Sequence, residues 1–233
     1  MKKQLIFLTL SLYLLVSVAN AQKIEILETG QFHGDEVTAE TGENWLGLYK
    51  KGKTYSLLPT VLTVSKVHDA IADNSPNETT GKEVKTLGPG EPIFLIKGKG
   101  FEQSREIPTM MSGNTSIYNN WAGQFSFTDN KDKYSLKVIT EKKLKGSGEN
   151  LDFTSKLVLT YKDTTQIIYK QNRCDDCSWQ LLWAGDLDSD GKLDLYLNLS
   201  DHYNVMNKRL FLSTQAESGE MVKEVAEFKT VGC

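Results

Sequence analysis

The sequence predicts a mainly β protein of antiparallel sheets, built as a sandwich or as two packed small β units. Three observations lead there. After residue 21, no apolar period of 3.6 is sustained over three turns, which argues against amphipathic helices. Short runs rich in Val, Ile, Thr and aromatic residues recur, many alternating apolar and polar as a half-buried pleated strand does. Between them stand Gly, Pro, Asn and Asp clusters, the residues that let a chain reverse.

Met1-Lys2-Lys3, a Leu-rich apolar stretch to Val18 and the small-residue ending Ala19-Asn20-Ala21 have the three parts of a secretory signal peptide. Residues 1–21 are therefore expected to be cleaved before Gln22, leaving an exported chain, periplasmic or extracellular and soluble. No later segment approaches the roughly 20 apolar residues a helical span needs, so no transmembrane segment is expected after processing. The 27 Lys and Arg face 30 Asp and Glu, a formal charge of −3, and loss of the leader removes Lys2 and Lys3 and no acidic residue. With no basic block interleaved with aromatics, nucleic acid is excluded as a partner.

In the first half, residues 23–27, 45–49, 54–57 and 61–67 read as strands, with Lys51-Gly52-Lys53 as a hairpin turn. Residues 73–77 and Gly88-Pro89-Gly90 are loops by composition, and 92–96 is a buried strand. Gly98-Lys99-Gly100 marks a boundary between units 22–100 and 101–233, unless the two form one domain. A polar stretch runs to Gly113, after which strands resume at 123–127 and 134–139. The clearest hairpin joins 155–161 to 165–169. Strands are also expected at 179–185, 193–199 and 209–213, and 221–228 is either a last strand or a short helix.

The most informative stretch is 186–194, with Asp186, Asp188 and Asp190 at alternate positions, then Gly191, Lys192 and Asp194. A hard cation such as calcium takes about six to eight oxygens at about 2.3–2.6 Å, and this spacing wraps carboxylates around one point. Gly191 permits the positive φ of such a reversal, and the Lys192 carbonyl would face inward while its ammonium points to water. An EF-hand would continue with Glu at its twelfth position and an exiting helix; here that position is Leu197, in a run alternating at period two. The loop therefore belongs between two strands.

The stretch from Trp183 to Leu195 resembles the calcium loop of FG-GAP and VCBS-type repeats, which occur in propellers and in many secreted bacterial proteins. The resemblance implies a calcium ion bound by Asp186, Asp188, Asp190, Asp194 and the Lys192 carbonyl. It covers about thirteen residues. A single copy, with no second at a regular spacing, argues against a complete propeller.

Cys174, Cys177 and Cys233 are an odd number of thiols in an exported chain. A structural disulfide is the main expectation, preferably Cys174 with Cys177, the alternative joining either to Cys233. Asp175 and Asp176 would raise neighbouring thiol pKa values, which disfavours a thiol-disulfide oxidoreductase. The isolated His33, His68 and His202 do not assemble a zinc set. Ser200-Asp201-His202 has triad residue types, but consecutive residues cannot face one another, and no nucleophile elbow, zincin helix or Rossmann pattern occurs. Trp179 and Trp183 are core candidates, with an exposed recognition surface as the alternative. The sequence thus points to a calcium-stabilised binding or structural module of the cell envelope or exterior with a protein or glycan ligand, ahead of a secreted hydrolase with a structural calcium.

Overall fold

The computed structural model describes residues 23–117, 122–125, 133–144, 151–172 and 176–232. Its described residues contain no helix, and every pairing between strands is antiparallel. The signal-peptide expectation for 1–21 lies outside the described residues. Among those residues no helix is long and apolar enough to cross a membrane.

The first sheet contains β1 (Glu25–Leu27), β2 (Gly30–Phe32), β3 (Asn44–Lys51), β4 (Thr54–Val67), β5 (Gly81–Thr86), β6 (Leu95–Lys97) and β7 (Arg105–Ile107). Its order is β1-β6-β3-β4-β5-β2, with β7 also on β4. The turn at Lys51-Gly52-Lys53 joins β3 to β4 as the sequence predicts, with Gly52 at φ 62°. Residues 54–57 and 61–67, read as separate strands, are one strand. β4 spends its first part between β3 and β7 and its last part on β5, so Pro59 falls between two successive partners on that edge. This long curving strand curls the sheet into a half-barrel.

The second sheet is β12-β11-β10-β9, formed by β9 (Ala122–Phe125), β10 (Tyr134–Leu144), β11 (Leu151–Tyr161) and β12 (Thr164–Asn172). The expected hairpin is β11–β12, turning through Lys162 at φ 52°. The third sheet is β16-β15-β14-β13-β8, from β8 (Thr109–Ser116), β13 (Ser178–Gly185), β14 (Asp194–Ser200), β15 (Val205–Leu212) and β16 (Lys223–Val231). β16 settles the strand-or-helix alternative at 221–228 in favour of strand. The polar stretch before Gly113 contains β7 and the start of β8; β8 is held by its backbone ladder to β13, which side-chain polarity does not reveal.

The third sheet is the middle layer. Trp183, Tyr196, Leu210, Leu212 and Phe228 join the core of the first sheet, with Leu48, Leu57, Phe94 and Ile96. Trp179, Leu181, Leu195, Leu197, Leu199 and Phe211 join the second sheet's Leu136, Leu157 and Leu159. A bulge between Leu181 and Trp183 shifts the register of β13, so Trp179 and Trp183 enter different cores. Both are fully buried, as the core reading of these residues requires. β14 is buried along its whole length. Its polar alternation therefore does not mean solvent: Tyr196 donates to Glu28 Oε1 at 2.6 Å across the layers, and Asn198 Oδ1 accepts from Asn207 N at 2.9 Å.

Candidate metal centre

The acidic loop leaves β13 and returns into β14, between two strands as predicted. Its first residue is fixed by close approach. A Cβ on Gly185 would stand 2.5 Å from the Pro108 carbonyl oxygen and 2.3 Å from the Trp183 ring, so only Gly fits there. The next amide, Asp186 N, donates to that carbonyl at 2.9 Å. Leu187 packs into one core and Leu193 into the other, so apolar anchors on both sides of the central sheet hold the loop. Arg105 Nε donates to the Leu187 carbonyl at 3.1 Å and the same guanidinium to the Gly100 carbonyl at 3.1 Å, tying the loop to the turn at 98–101.

Within the loop, Asp186 accepts from Asp190 N and Gly191 N, both at 3.0 Å, one on each oxygen. Gly191 has φ 80° and Ser189 φ 67°, the left-handed pair that closes this tight coil. Asp194 accepts from Leu187 N at 2.7 Å, Asp188 N at 3.4 Å and Ser213 N at 2.8 Å, and the single Ser213 Oγ proton is shared between Asp194 Oδ1 at 3.1 Å and Asp190 Oδ1 at 3.0 Å. Asp188 Oδ2 accepts from Thr214 Oγ1. Asp188 Oδ1 is buried without a hydrogen-bond partner.

Carboxylate oxygens of Asp186, Asp188 and Asp194 lie within 4.8 Å of one another. Two oxygens on opposite sides of one calcium ion are separated by about 4.6–5.2 Å, so three oxygens within this span can meet a single ion. The electrostatics point the same way. Burial, with neighbouring Asp charge and opposed by the loop amides, raises the Asp186 and Asp188 pKa values, and burial above all lifts Asp194 to about 8. Three desolvated carboxylates are held together at a cost that a divalent cation offsets. These three residues could hold a metal ion.

Asp190 is turned elsewhere. Its Oδ1 accepts from Lys192 N at 2.8 Å and Ser213 Oγ at 3.0 Å, and its Oδ2 lies 3.6 Å from Lys192 Nζ. The Lys192 side chain is exposed, as expected. Ser213 and Thr214, from the connection between β15 and β16, had no signal in the sequence; they reach the loop only because β15 pairs beside β14.

The other candidates do not assemble into chemistry. The single Ser200 Oγ proton lies between the carbonyls of His202, at 2.6 Å, and Val205, while His202 Nδ1 lies 2.6 Å from Asn204 Oδ1; no serine–histidine relay forms. His33 pairs with Asp69 at 2.5 Å and His68 with Asp73 at 3.3 Å. Cys177 is partly buried against the second core, and Cys174 and Cys233 lie outside the described residues.

The class defined so far is a layered antiparallel β protein with a buried carboxylate cluster at the end of its central sheet. Comparisons with protein families, with curated proteins and with solved structures find no match.

Proposed function

We propose that the chain is an exported β protein whose Asp186, Asp188 and Asp194 bind a structural calcium ion, and that it acts as a binding module of the cell envelope or exterior. The observation that carries this reading is the convergence of three buried or half-buried carboxylates within 4.8 Å, one with an unpartnered buried oxygen. Calcium is favoured over softer metals because the cluster offers oxygen alone. Asp190 and the Lys192 carbonyl, implied by the likeness to FG-GAP and VCBS-type loops, would add to the shell after rotation of the Asp190 side chain.

The ion's role follows from position. The loop joins the two central strands and carries one apolar anchor in each core, so fixing it holds both interfaces in register.

The test is thermal unfolding of the purified protein with excess calcium and with chelator, alongside Asp188→Ala. At free calcium about 100 times the dissociation constant the gain is about 2.7 kcal/mol. For a chain of this size that raises the melting temperature by about 5–10 °C. The variant should lose the gain. Coincident curves for the parent in calcium and chelator would remove the calcium reading.

A further inference from the structure

Against the carboxylate cluster lies a cavity of about 570 Å³, within the roughly 300–1,000 Å³ range of small-molecule sites. Of the three cluster residues only Asp188 lines it. Asp186 and Asp194 are 6% and 0% exposed and sit behind. Asp188 is thus the residue through which an ion held by the three would be reached from this cavity. Asp194 is shared with four donors, so the loop carboxylates alone leave part of a six- to eight-oxygen sphere to water or ligand.

The lining carries both signs of charge, Lys23, Lys99 and Lys223 with Asp188 and Glu224, the last paired with Arg209. Lys23 and Lys99 line the cavity, and neither has an ion-pair or hydrogen-bond partner among the described residues. Lys223 also lines it but is committed to Glu217. Thr214 and Gln215 supply a hydroxyl and an amide. Asp188, two uncommitted ammonium groups and these polar side chains share one cavity, a set that suits an oxyanion bearing hydroxyls.

We propose that this cavity binds a sugar acid of the uronate class, its carboxylate between Lys23 and Lys99 and one of its oxygens entering the coordination sphere of the ion. The proposal rests on the calcium reading of the loop. A sugar acid is favoured over an acidic peptide because the lining sets hydroxyl, amide and ammonium side chains beside the apolar Ile24, Phe101, Leu212 and Val225, matching a ring that carries hydroxyls, one carboxylate and apolar C–H faces.

The experiment uses terbium as a luminescent stand-in for calcium and digalacturonate as the probe. Lifetimes in H₂O and D₂O count the waters on the bound ion. Terbium should bind with at least one water, and digalacturonate should displace it while galactose does not. The double variant Lys23→Ala/Lys99→Ala should keep its terbium affinity and bind digalacturonate about tenfold more weakly, the loss appropriate to two exposed ion pairs. Failure of terbium and calcium to bind would remove the calcium reading and this inference together. Normal ion binding with no effect of digalacturonate would overturn this inference alone. Tighter binding of a tetra-aspartate peptide than of digalacturonate would overturn the sugar-acid assignment.

Discussion

Tyr196→Phe removes one oxygen from the interface between the first and central sheets. The Tyr196 ring is 1% exposed and packs tilted on Phe94 with centroids 4.4 Å apart, contacts that Phe retains. What is lost is the hydroxyl donated to Glu28 Oε1 at 2.6 Å; the same oxygen lies 3.2 Å from Lys208 Nζ. Burial first, then the Glu28 charge, raises the Tyr196 pKa well above its ordinary value, so the hydroxyl stays a donor throughout the useful pH range. A hydrogen bond to a charged group contributes about 1.5–3 kcal/mol. Glu28 is 25% exposed and recovers some hydration, so the lower part of that range, about 1.5–2 kcal/mol, is expected. The assay is urea unfolding, reading a lower midpoint at an unchanged slope. In a Glu28→Gln background the same substitution should cost about half as much, because the acceptor is then neutral. A loss under about 0.5 kcal/mol, or equal losses in both backgrounds, would refute the account of this contact.

Three further outcomes follow from local geometry. Gly191→Ala meets nothing within 4 Å at φ 80°, so its cost is backbone strain alone, about 1–2 kcal/mol by thermal unfolding; an unchanged melting temperature would show the loop is not held in this conformation. Trp183→Ala should cost about 3–5 kcal/mol, whereas Ile167→Ala, on an exposed position of β12, should stay within about 0.5 kcal/mol; similar values for the two would contradict the layer assignment. The His33–Asp69 pair sets a pH window. Asp69 is held at about 2 chiefly by its hydrogen bond from His33, so its contribution is full above 3.8 and lost as pH falls through about 2. His33 is raised above 6.5 chiefly by the same bond, so its contribution is full below 6.5 and lost as pH rises through the higher folded value. Stability should therefore peak between these limits, and His33→Ala should flatten both limbs; a parent profile without either limb would exclude the pair as a stabilising element.

Much of the strand content was legible because its signals are local. The β11–β12 hairpin, the β3–β4 turn and the two strands flanking the acidic loop each carry their own alternation and turn residues. β8 was not legible, since its small and polar residues pair through backbone groups that every residue possesses. The candidate site divides the same way. Asp186, Asp188 and Asp194 were read from spacing and do converge, while Ser213, Thr214, Arg105 and the lysines of the adjoining cavity come from distant positions.

The sequence alone determined that the chain is mainly β, that an acidic coil reverses between two strands, and that Gly191 sits where a positive φ is required. These are properties of a few neighbouring residues, set by sterics and side-chain period. Only the tertiary structure decided that the third sheet lies between the other two. Burial from both sides makes the polar face of β14 an interior surface and brings Ser213 and Thr214 onto the carboxylates. Which face of a strand meets water depends on what packs against it, and that partner is chosen by residues a hundred or more positions away, as Glu28 and Tyr196 are.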